Sequence, residues 1–514
     1  MNSSSNRVAL NTGIIYCRMI LTIGVSLYST RLILSALGST DYGIFNLIAG
    51  VIAMLAFLNA AMATSTQRFL SFYQGKNDLK LLQKVFTNSL VVHLAIAIII
   101  ALGLEVASIF LFDDFLNIPP DRVETAKTLF HFMVLSVFIS IMVVPFTGSL
   151  YARENMLWVA VVNTLEALLK LAIAFIILKV AGDKLIIYGI LMACLSLFSG
   201  ILYATYCFRK YAECTIKELW AIDKKFVVEL TSFAGWNMFG SLCVLGRTQG
   251  LAIMLNLFFG TVINAAYAIS NQVSAQLSFF SNTMLQAMNP QIMKSEGAND
   301  RERMLRLAMI ASKFCFFLLA IIAIPCIFEM TSILGAWLKN VPEFTVMFCR
   351  LTVIGMMVNQ LTIGLQSALQ ATGKIKVYQI VVGSVILLNL PIAYLLLKLG
   401  LPAYAVLLSY AVIELVACTL RLLFLKKVGG LSIEAYLRRV TAKEVIPVLC
   451  SVGICFLITT YMQFDFRFVF TIACSGLVFL ISIYFAGLCA DERKLIDSFA
   501  AKYINLIKTK LSFS

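Results

Sequence analysis

The chain of 514 residues contains fourteen predominantly apolar segments of about 20 residues, and these constrain its fold more than any other feature. An α-helix needs about 20 apolar residues to cross the hydrocarbon core of a membrane. The segments are too long and too uniformly apolar for the alternating strands of a membrane barrel. We therefore predict an all-α integral membrane protein with about 14 transmembrane helices. The predicted spans are 10–33, 42–63, 86–112, 128–150, 157–179, 186–208, 231–257, 264–288, 307–328, 345–368, 378–398, 402–424, 444–462 and 468–489.

Composition agrees with a lipid environment. Hydrophobic residues make up 61% of the chain and charged residues only 13%, whereas soluble proteins carry about 25% charged residues. This difference excludes a soluble enzyme, a nucleic-acid-binding protein and a disordered chain. The 13 cysteines fall mostly inside apolar segments and form no Cys-x-x-Cys pair. We therefore predict buried thiols, with no metal site and no cofactor.

The net charge of +15 is distributed unequally between the loops. If the N-terminus is cytoplasmic, 28 of the 41 Lys and Arg residues fall in cytoplasmic segments and 8 in outer segments. Cytoplasmic loops of membrane proteins are enriched in these two residue types. The charge distribution therefore predicts that both termini are cytoplasmic, and it makes nucleic acid unnecessary as a partner for the basic charge.

The sequence also repeats itself. Similar composition explains the aligned Leu and Ile residues, but it does not explain a Gly-x-Asn-Asp motif that recurs in the corresponding loop. At a shift of 219, residues 171–179 align with residues 390–398 with five identities. At a shift of 222, the aligned pairs are Gly38 and Gly260, Gly75 and Gly297, Asn77 and Asn299, and Asp78 and Asp300.

Each copy of the repeat contains six predicted spans. Because six is even, both copies start on the same side of the membrane and form a parallel repeat, with a pseudo-two-fold axis along the membrane normal. We predict an N-lobe of helices 1–6 over residues 1–225 and a C-lobe of helices 7–12 over residues 226–430. Helices 13–14 and a cytoplasmic tail would occupy residues 431–514.

Two of the arginines inside predicted spans are candidate site residues, because a charge there is costly and usually faces a partner, a bundle interior or water. The repeat counterpart of Arg247 is Val25 and that of Arg18 is Gly240, so the scaffold itself requires no cation at either position. We predict that Arg18 and Arg247, with the neighbouring Gln249, line a substrate cavity. The alternatives are a structural pair between Arg247 and another helix, and an Arg18 side chain that reaches the membrane interface.

Three further charges inside predicted spans are candidates for gating or ion coupling. Glu166 and Lys170 are four residues apart and share one helix face, either as a self-neutralising pair or as a gated or proton-coupled pair. Glu414, whose repeat counterpart is Leu195, is the best lone carboxylate for proton or sodium coupling.

One predicted span carries a polar face. Asn271, Ser278 and Asn282 recur at helical spacing within residues 264–288. We predict that they line the same cavity as Arg247, and close packing of small residues against another helix is the competing explanation.

The sequence offers little for catalysis. No G-x-x-x-x-G-K-[ST] motif for ATP occurs, His93 and His131 are the two histidines, and no loop is long enough for a catalytic domain. We therefore predict no catalytic residues and do not expect an enzyme.

Two motifs carry a family resemblance, Leu37-Gly-Ser-Thr-Asp-Tyr-Gly43 and Ala287-Met-Asn-Pro-Gln-Ile292. Together with the fourteen spans and the repeat, they resemble the multidrug/oligosaccharidyl-lipid/polysaccharide (MOP) exporter superfamily, and within it the Wzx-type polysaccharide flippases. The resemblance implies two six-helix lobes around a central cavity that opens to each side in turn. It also implies a cationic cavity for a diphosphate, which Arg18 and Arg247 are able to supply.

Members of this family move polyprenyl-diphosphate-linked oligosaccharides across the bacterial cytoplasmic (inner) membrane for surface polysaccharide or lipopolysaccharide biosynthesis. Within the spans, five basic and three acidic residues favour an anionic substrate. We therefore expect a flippase whose partners are the lipid-linked oligosaccharide, membrane lipid and polysaccharide assembly proteins. A cation-coupled multidrug exporter of the same superfamily is the alternative, and a membrane enzyme acting on lipid-linked glycan is the third candidate.

Overall fold

A computed structural model describes residues 2–53, 56–112, 118–216, 223–338, 340–494 and 497, and within these ranges all regular secondary structure is helical. The predicted tail therefore lies mostly outside the described residues, as does the side chain of Arg18. The helices are α1 (Asn2–Ala53), α2 (Ala56–Gly75), α3 (Leu79–Phe110), α4 (Val123–Ala152), α5 (Met156–Lys179), α6 (Lys184–Lys210), α7 (Lys224–Phe259), α8 (Thr261–Gly297), α9 (Arg301–Phe328), α10 (Met330–Trp337), α11 (Thr345–Gln360), α12 (Ile363–Thr372), α13 (Lys376–Leu387), α14 (Asn389–Lys398), α15 (Ala405–Gly429), α16 (Ile433–Tyr436), α17 (Ala442–Tyr461) and α18 (Arg467–Ser482).

The apolar segments form the expected helices. Within the described ranges, ten helical segments are long and apolar enough to cross a membrane. The pair α11 and α12, bent by 44°, passes the same test as a single broken span. These helices confirm an all-α, multi-pass membrane protein, whereas the exact number of fourteen spans stays a prediction.

The backbone repeats at the predicted shift of 222 residues. Gly38, which breaks α1, has a φ of 79°, and its counterpart Gly260, before α8, has a φ of 81°. Asn77 and Asn299 have φ values of 58° and 60°, a left-handed conformation that asparagine tolerates better than most residues. The counterpart aspartates Asp78 and Asp300 each accept a hydrogen bond of 3.0 Å from a backbone N–H three residues later.

The shift of 219 is also visible in the backbone. Glu154, in the turn between α4 and α5, has a φ of 60°, and its counterpart Gly373, between α12 and α13, has a φ of 75°. Both turns close with the same hydrogen bond, from Glu154 N–H to Tyr151 O at 2.9 Å and from Gly373 N–H to Gln370 O at 3.1 Å. The same backbone turn therefore carries a carboxylate in one copy and no side chain in the other.

The chain forms two compact units. The first consists of Met1–Leu242, Gln286–Met304 and Gln370–Ile380, and the second of Cys243–Leu285, Leu305–Leu369 and Val381–Ser514. Each unit has its own apolar core, which includes Phe86 and Leu150 in the first and Phe317 and Phe479 in the second. Residues 286–304 and 370–380 thus pack with the first 242 residues of the chain, and the predicted lobe boundaries stay a prediction.

Candidate functional site

A buried ion pair in the second unit joins two residues that the sequence analysis treated separately. Arg247 on α7 donates from Nη1 to Glu414 Oε1 on α15 at 2.7 Å, and the two residues are only 6% and 2% exposed. The guanidinium also lies 4.6 Å from the ring centroid of Tyr410, and Asn359 Nδ2 donates to Glu414 Oε2 at 2.7 Å. The interpretation of Glu414 as a lone carboxylate is therefore wrong, because both of its oxygens accept from neighbouring helices.

A second arginine next to this pair was missed because it lies at the end of its predicted span. Arg421, two turns after Glu414 on α15, is 3% exposed and donates from Nη1 to Asn359 O at 3.3 Å and to Thr362 Oγ1 at 3.2 Å. The cluster of Arg247, Glu414 and Arg421 therefore carries a formal charge of +1 inside the protein. Removing either partner of a buried ion pair strongly destabilises a protein, because the other charge is left uncompensated.

The other candidate residues are less enclosed. Glu166 and Lys170 form their predicted pair on α5 at 3.1 Å, with side chains 32% and 43% exposed. The four polar candidates differ in exposure and, within the described part of the chain, none of them bonds to Arg247 or Glu414. Gln249 and Asn282 are exposed, and Asn271 and Ser278 are half-buried.

Within the first unit, the ends of α2 and α8 cross so closely that only glycine fits on either helix. A Cβ on Gly75 would clash with the backbone carbonyl of Lys294, and a Cβ on Gly297 would clash with the backbone carbonyl of Phe72. Gly75 and Gly297 are counterparts in the repeat, and so are Phe72 and Lys294. The crossing is therefore reciprocal, as a parallel pseudo-two-fold repeat requires.

Next to this crossing, α8 is attached to the turn after α4. Glu154 accepts a hydrogen bond of 2.7 Å from Gln291 Nε2 and forms an ion pair with Lys294. The Glu154 side chain is only 2% exposed.

The corresponding stretch of α2 approaches the turn after α12 in a different way. Arg68 Nη2 donates to the backbone carbonyl of Ala371 at 3.1 Å, and the position equivalent to Glu154 is Gly373. The repeat alignment at a shift of 219 was the signal that could have identified this difference.

Comparison with known proteins places these features in context. Residues 6–296 match the family described as polysaccharide biosynthesis protein. No curated protein sequence matches the chain. Solved structures share its fold at 14% identity, a level that carries no more than the fold.

Three of these structures illustrate the match. MATE in complex with MaD3S has a TM-score of 0.71 over 85% of this chain and 96% of that chain. MATE in the straight conformation has a TM-score of 0.71 over 85% and 97%. A MOP superfamily transporter from Pyrococcus furiosus, described as having a binding pocket of reverse polarity, has a TM-score of 0.67 over 83% and 96%.

Proposed function

Because the chain belongs to the polysaccharide biosynthesis protein family and has the fold of MATE transporters, we propose that it is a flippase for polyprenyl-diphosphate-linked oligosaccharides. The family match over residues 6–296 is the observation that carries this proposal. The substrate would cross the bacterial inner membrane from the cytoplasmic side, where both termini lie, to supply surface polysaccharide or lipopolysaccharide assembly. The transporter would do so by alternating access, without chemical change of the substrate.

The buried charge cluster supports an anionic substrate. Arg247, Glu414 and Arg421 together carry +1, and guanidinium groups bind phosphate oxygens in bidentate geometry. Glu414 neutralises Arg247 at 2.7 Å. We propose that the diphosphate competes with Glu414 for Arg247, with Arg18, Gln249, Asn271, Ser278 and Asn282 as the further polar lining of the path.

Access from the cytoplasm would require the crossing of α2 and α8 to separate. The Gly75 and Gly297 contacts hold these ends together, and the Glu154–Lys294 pair adds a second attachment. We propose that these contacts break in the inward-open form and re-form once the headgroup has moved outward, while the polyprenyl tail stays in the bilayer.

Reconstituted vesicles test the proposal. The purified protein is inserted into liposomes that contain a fluorescent polyprenyl-diphosphate oligosaccharide, and the fraction exposed on the outer leaflet is followed with a membrane-impermeant lectin. We expect the protein to equilibrate the lipid between leaflets and Arg247→Lys to slow this step, with Lys426→Gln as a matched control at an exposed lysine on α15. The proposal fails if the lipid does not move between the leaflets while an imposed ion gradient drives the transport of a fluorescent organic cation. The multidrug alternative requires this result.

A further inference from the structure

A second cationic site lies in the first unit, away from the Arg247 cluster. It is a pocket of about 580 Å³ between the end of α2, the start of α7 and the turn that leads into α13. This volume falls within the range of about 300–1,000 Å³ that is usual for small-ligand sites. The residues that give the pocket its chemistry are Arg68, Phe72, Glu229, Trp236, Lys374 and Lys376.

Arg68 is buried in the wall of this pocket, and its Nε donor has no hydrogen-bond partner among the described residues. It is 7% exposed, and its guanidinium carbon lies 4.5 Å from the ring centroid of Phe69 and 4.8 Å from that of Phe72. Among the described residues it forms no ion pair, its Nη2 donates to Ala371 O, and its Nε has no partner. A buried guanidinium left without an anion is costly, so the site favours an anion from outside the chain.

The repeat shows why the turn after α12 supplies no carboxylate to Arg68. In the equivalent turn after α4, Glu154 supplies the carboxylate that pairs with Lys294 on α8. In the turn after α12 that position is Gly373, where a Cβ would lie 2.6 Å from Arg68 Nη2. The same turn thus carries a carboxylate in one copy and none in the other, where the Arg68 guanidinium lies directly against the glycine.

Other groups that line the pocket also favour an anion. Lys374 and Lys376 are exposed at the pocket, and with Arg68 they outnumber the single carboxylate, Glu229, by two charges. The pocket includes the start of α13, a helix of 12 residues whose first internal hydrogen bond is from Gln379 N–H to Ile375 O. The N–H groups of the first turn carry the positive end of the helix dipole.

The pocket also borders apolar surface. Val228 on α7 and Val377 on α13 line it and are 64% and 61% exposed. Both are near the ends of helices that we predict to emerge on the cytoplasmic side. A phosphate ester with an attached apolar group would match this combination of cations, aromatic rings and exposed aliphatic side chains.

We propose that the pocket around Arg68 binds the phosphate group of a ligand, which supplies the anion that Glu154 supplies in the other copy of the repeat. The phosphate would receive hydrogen bonds from the Arg68 guanidinium and charge from Lys374 and Lys376. An anionic membrane lipid and a soluble phosphate ester present the same group. This inference does not depend on which substrate the protein transports.

Binding measurements on the full-length protein test the inference. One arm measures the affinity of detergent-purified protein for inorganic pyrophosphate by calorimetry. The other measures the rise in unfolding temperature in nanodiscs of phosphatidylcholine mixed with phosphatidylglycerol over nanodiscs of phosphatidylcholine alone. Binding in the first arm alone identifies a soluble phosphate, and binding in the second arm alone identifies a lipid headgroup.

The variants are chosen so that folding does not decide the answer. Lys374→Gln/Lys376→Gln changes two exposed residues, and we expect it to weaken binding about 30-fold, at about 1 kcal/mol for each surface cation. Arg68→Gln should abolish binding, and Arg68→Lys should restore part of it. Lys426→Gln/Lys427→Gln removes the same charge from exposed positions on α15, outside the pocket, and should bind as the wild type does.

Three results would overturn the inference. The first is wild-type protein that binds in neither arm, and the second is Lys374→Gln/Lys376→Gln protein with wild-type affinity in the arm that binds. The third is an equal loss in Lys426→Gln/Lys427→Gln, which would assign the effect to net charge. Because the readout is binding, a failure here is distinguishable from a failure of lipid transport in vesicles.

Discussion

The two copies of the repeat have the same backbone and different chemistry. Gly38 and Gly260 share one φ value within 2°, as do Asn77 and Asn299, so the turns and helix breaks were kept through the duplication. Charged side chains are among those that differ. This comparison indicates that the repeat provides the scaffold and that the positions where its copies diverge provide the function.

Two of these differences involve buried charges. At one place the apolar residues Val25 and Leu195 of the first copy correspond to the ion pair Arg247–Glu414 of the second. At the other place Glu154 of the first copy corresponds to Gly373 of the second, and among the described residues Arg68 forms no ion pair. Each difference can be removed by a substitution that copies one half of the protein into the other.

The largest effect is expected when the buried pair is broken on one side only. Glu414→Leu leaves the Arg247 charge buried without its partner and should lower the free energy of unfolding by about 3–5 kcal/mol. The double variant Arg247→Val/Glu414→Leu copies the first half and should recover most of that stability without recovering transport. Chemical denaturation and the vesicle assay measure the two properties, and a double variant that transports normally would show that the pair is structural.

A smaller loss of stability is expected when one of the two glycines at the crossing of α2 and α8 is replaced. Gly297→Ala places a Cβ against the carbonyl of Phe72 and should cost about 1–3 kcal/mol, as overpacked sites do. Gly235→Ala on α7 is the matched control, because no atom lies within 4 Å of the added Cβ. Equal thermal unfolding temperatures for the two variants would contradict the close crossing.

Removing the carboxylate of the first copy should have a still smaller effect. Glu154→Gly converts the turn to the form of its counterpart Gly373 and suits the left-handed backbone at this position. Loss of the bonds from Gln291 and Lys294 should reduce stability by about 1 kcal/mol. The same variant should gain affinity for pyrophosphate at Lys294, and calorimetry that detects no such gain would count against the equivalence of the two turns.

The smallest effect is expected at the pair on α5. Glu166 and Lys170 are partly exposed, and such pairs four residues apart on a helix contribute about 0.3–0.5 kcal/mol. Glu166→Gln should therefore leave thermal unfolding almost unchanged. If it nevertheless stops transport in vesicles, the pair has the gating or coupling role that its position inside a span allows.

Much of the fold could be predicted from the sequence because the determining signals are local. The length of the apolar segments predicted the helices, and the aligned glycines at 38 and 260 marked the same backbone break in both copies. The partner of Arg247 could not be predicted, because Glu414 is 167 residues away and depends on how α7 packs against α15. Arg68 was counted as one cytoplasmic charge among many, since only the folded structure brings the turn at Gly373 against it.

The glycine crossing limits the ways in which α2 and α8 can separate. Where two main chains touch directly, no side chain is available to rotate aside and admit water while the rest of the contact stays closed. The contact at Gly75 and Gly297 is therefore either fully made or fully broken. In the flippase that we propose, opening this contact would take a displacement of whole helices.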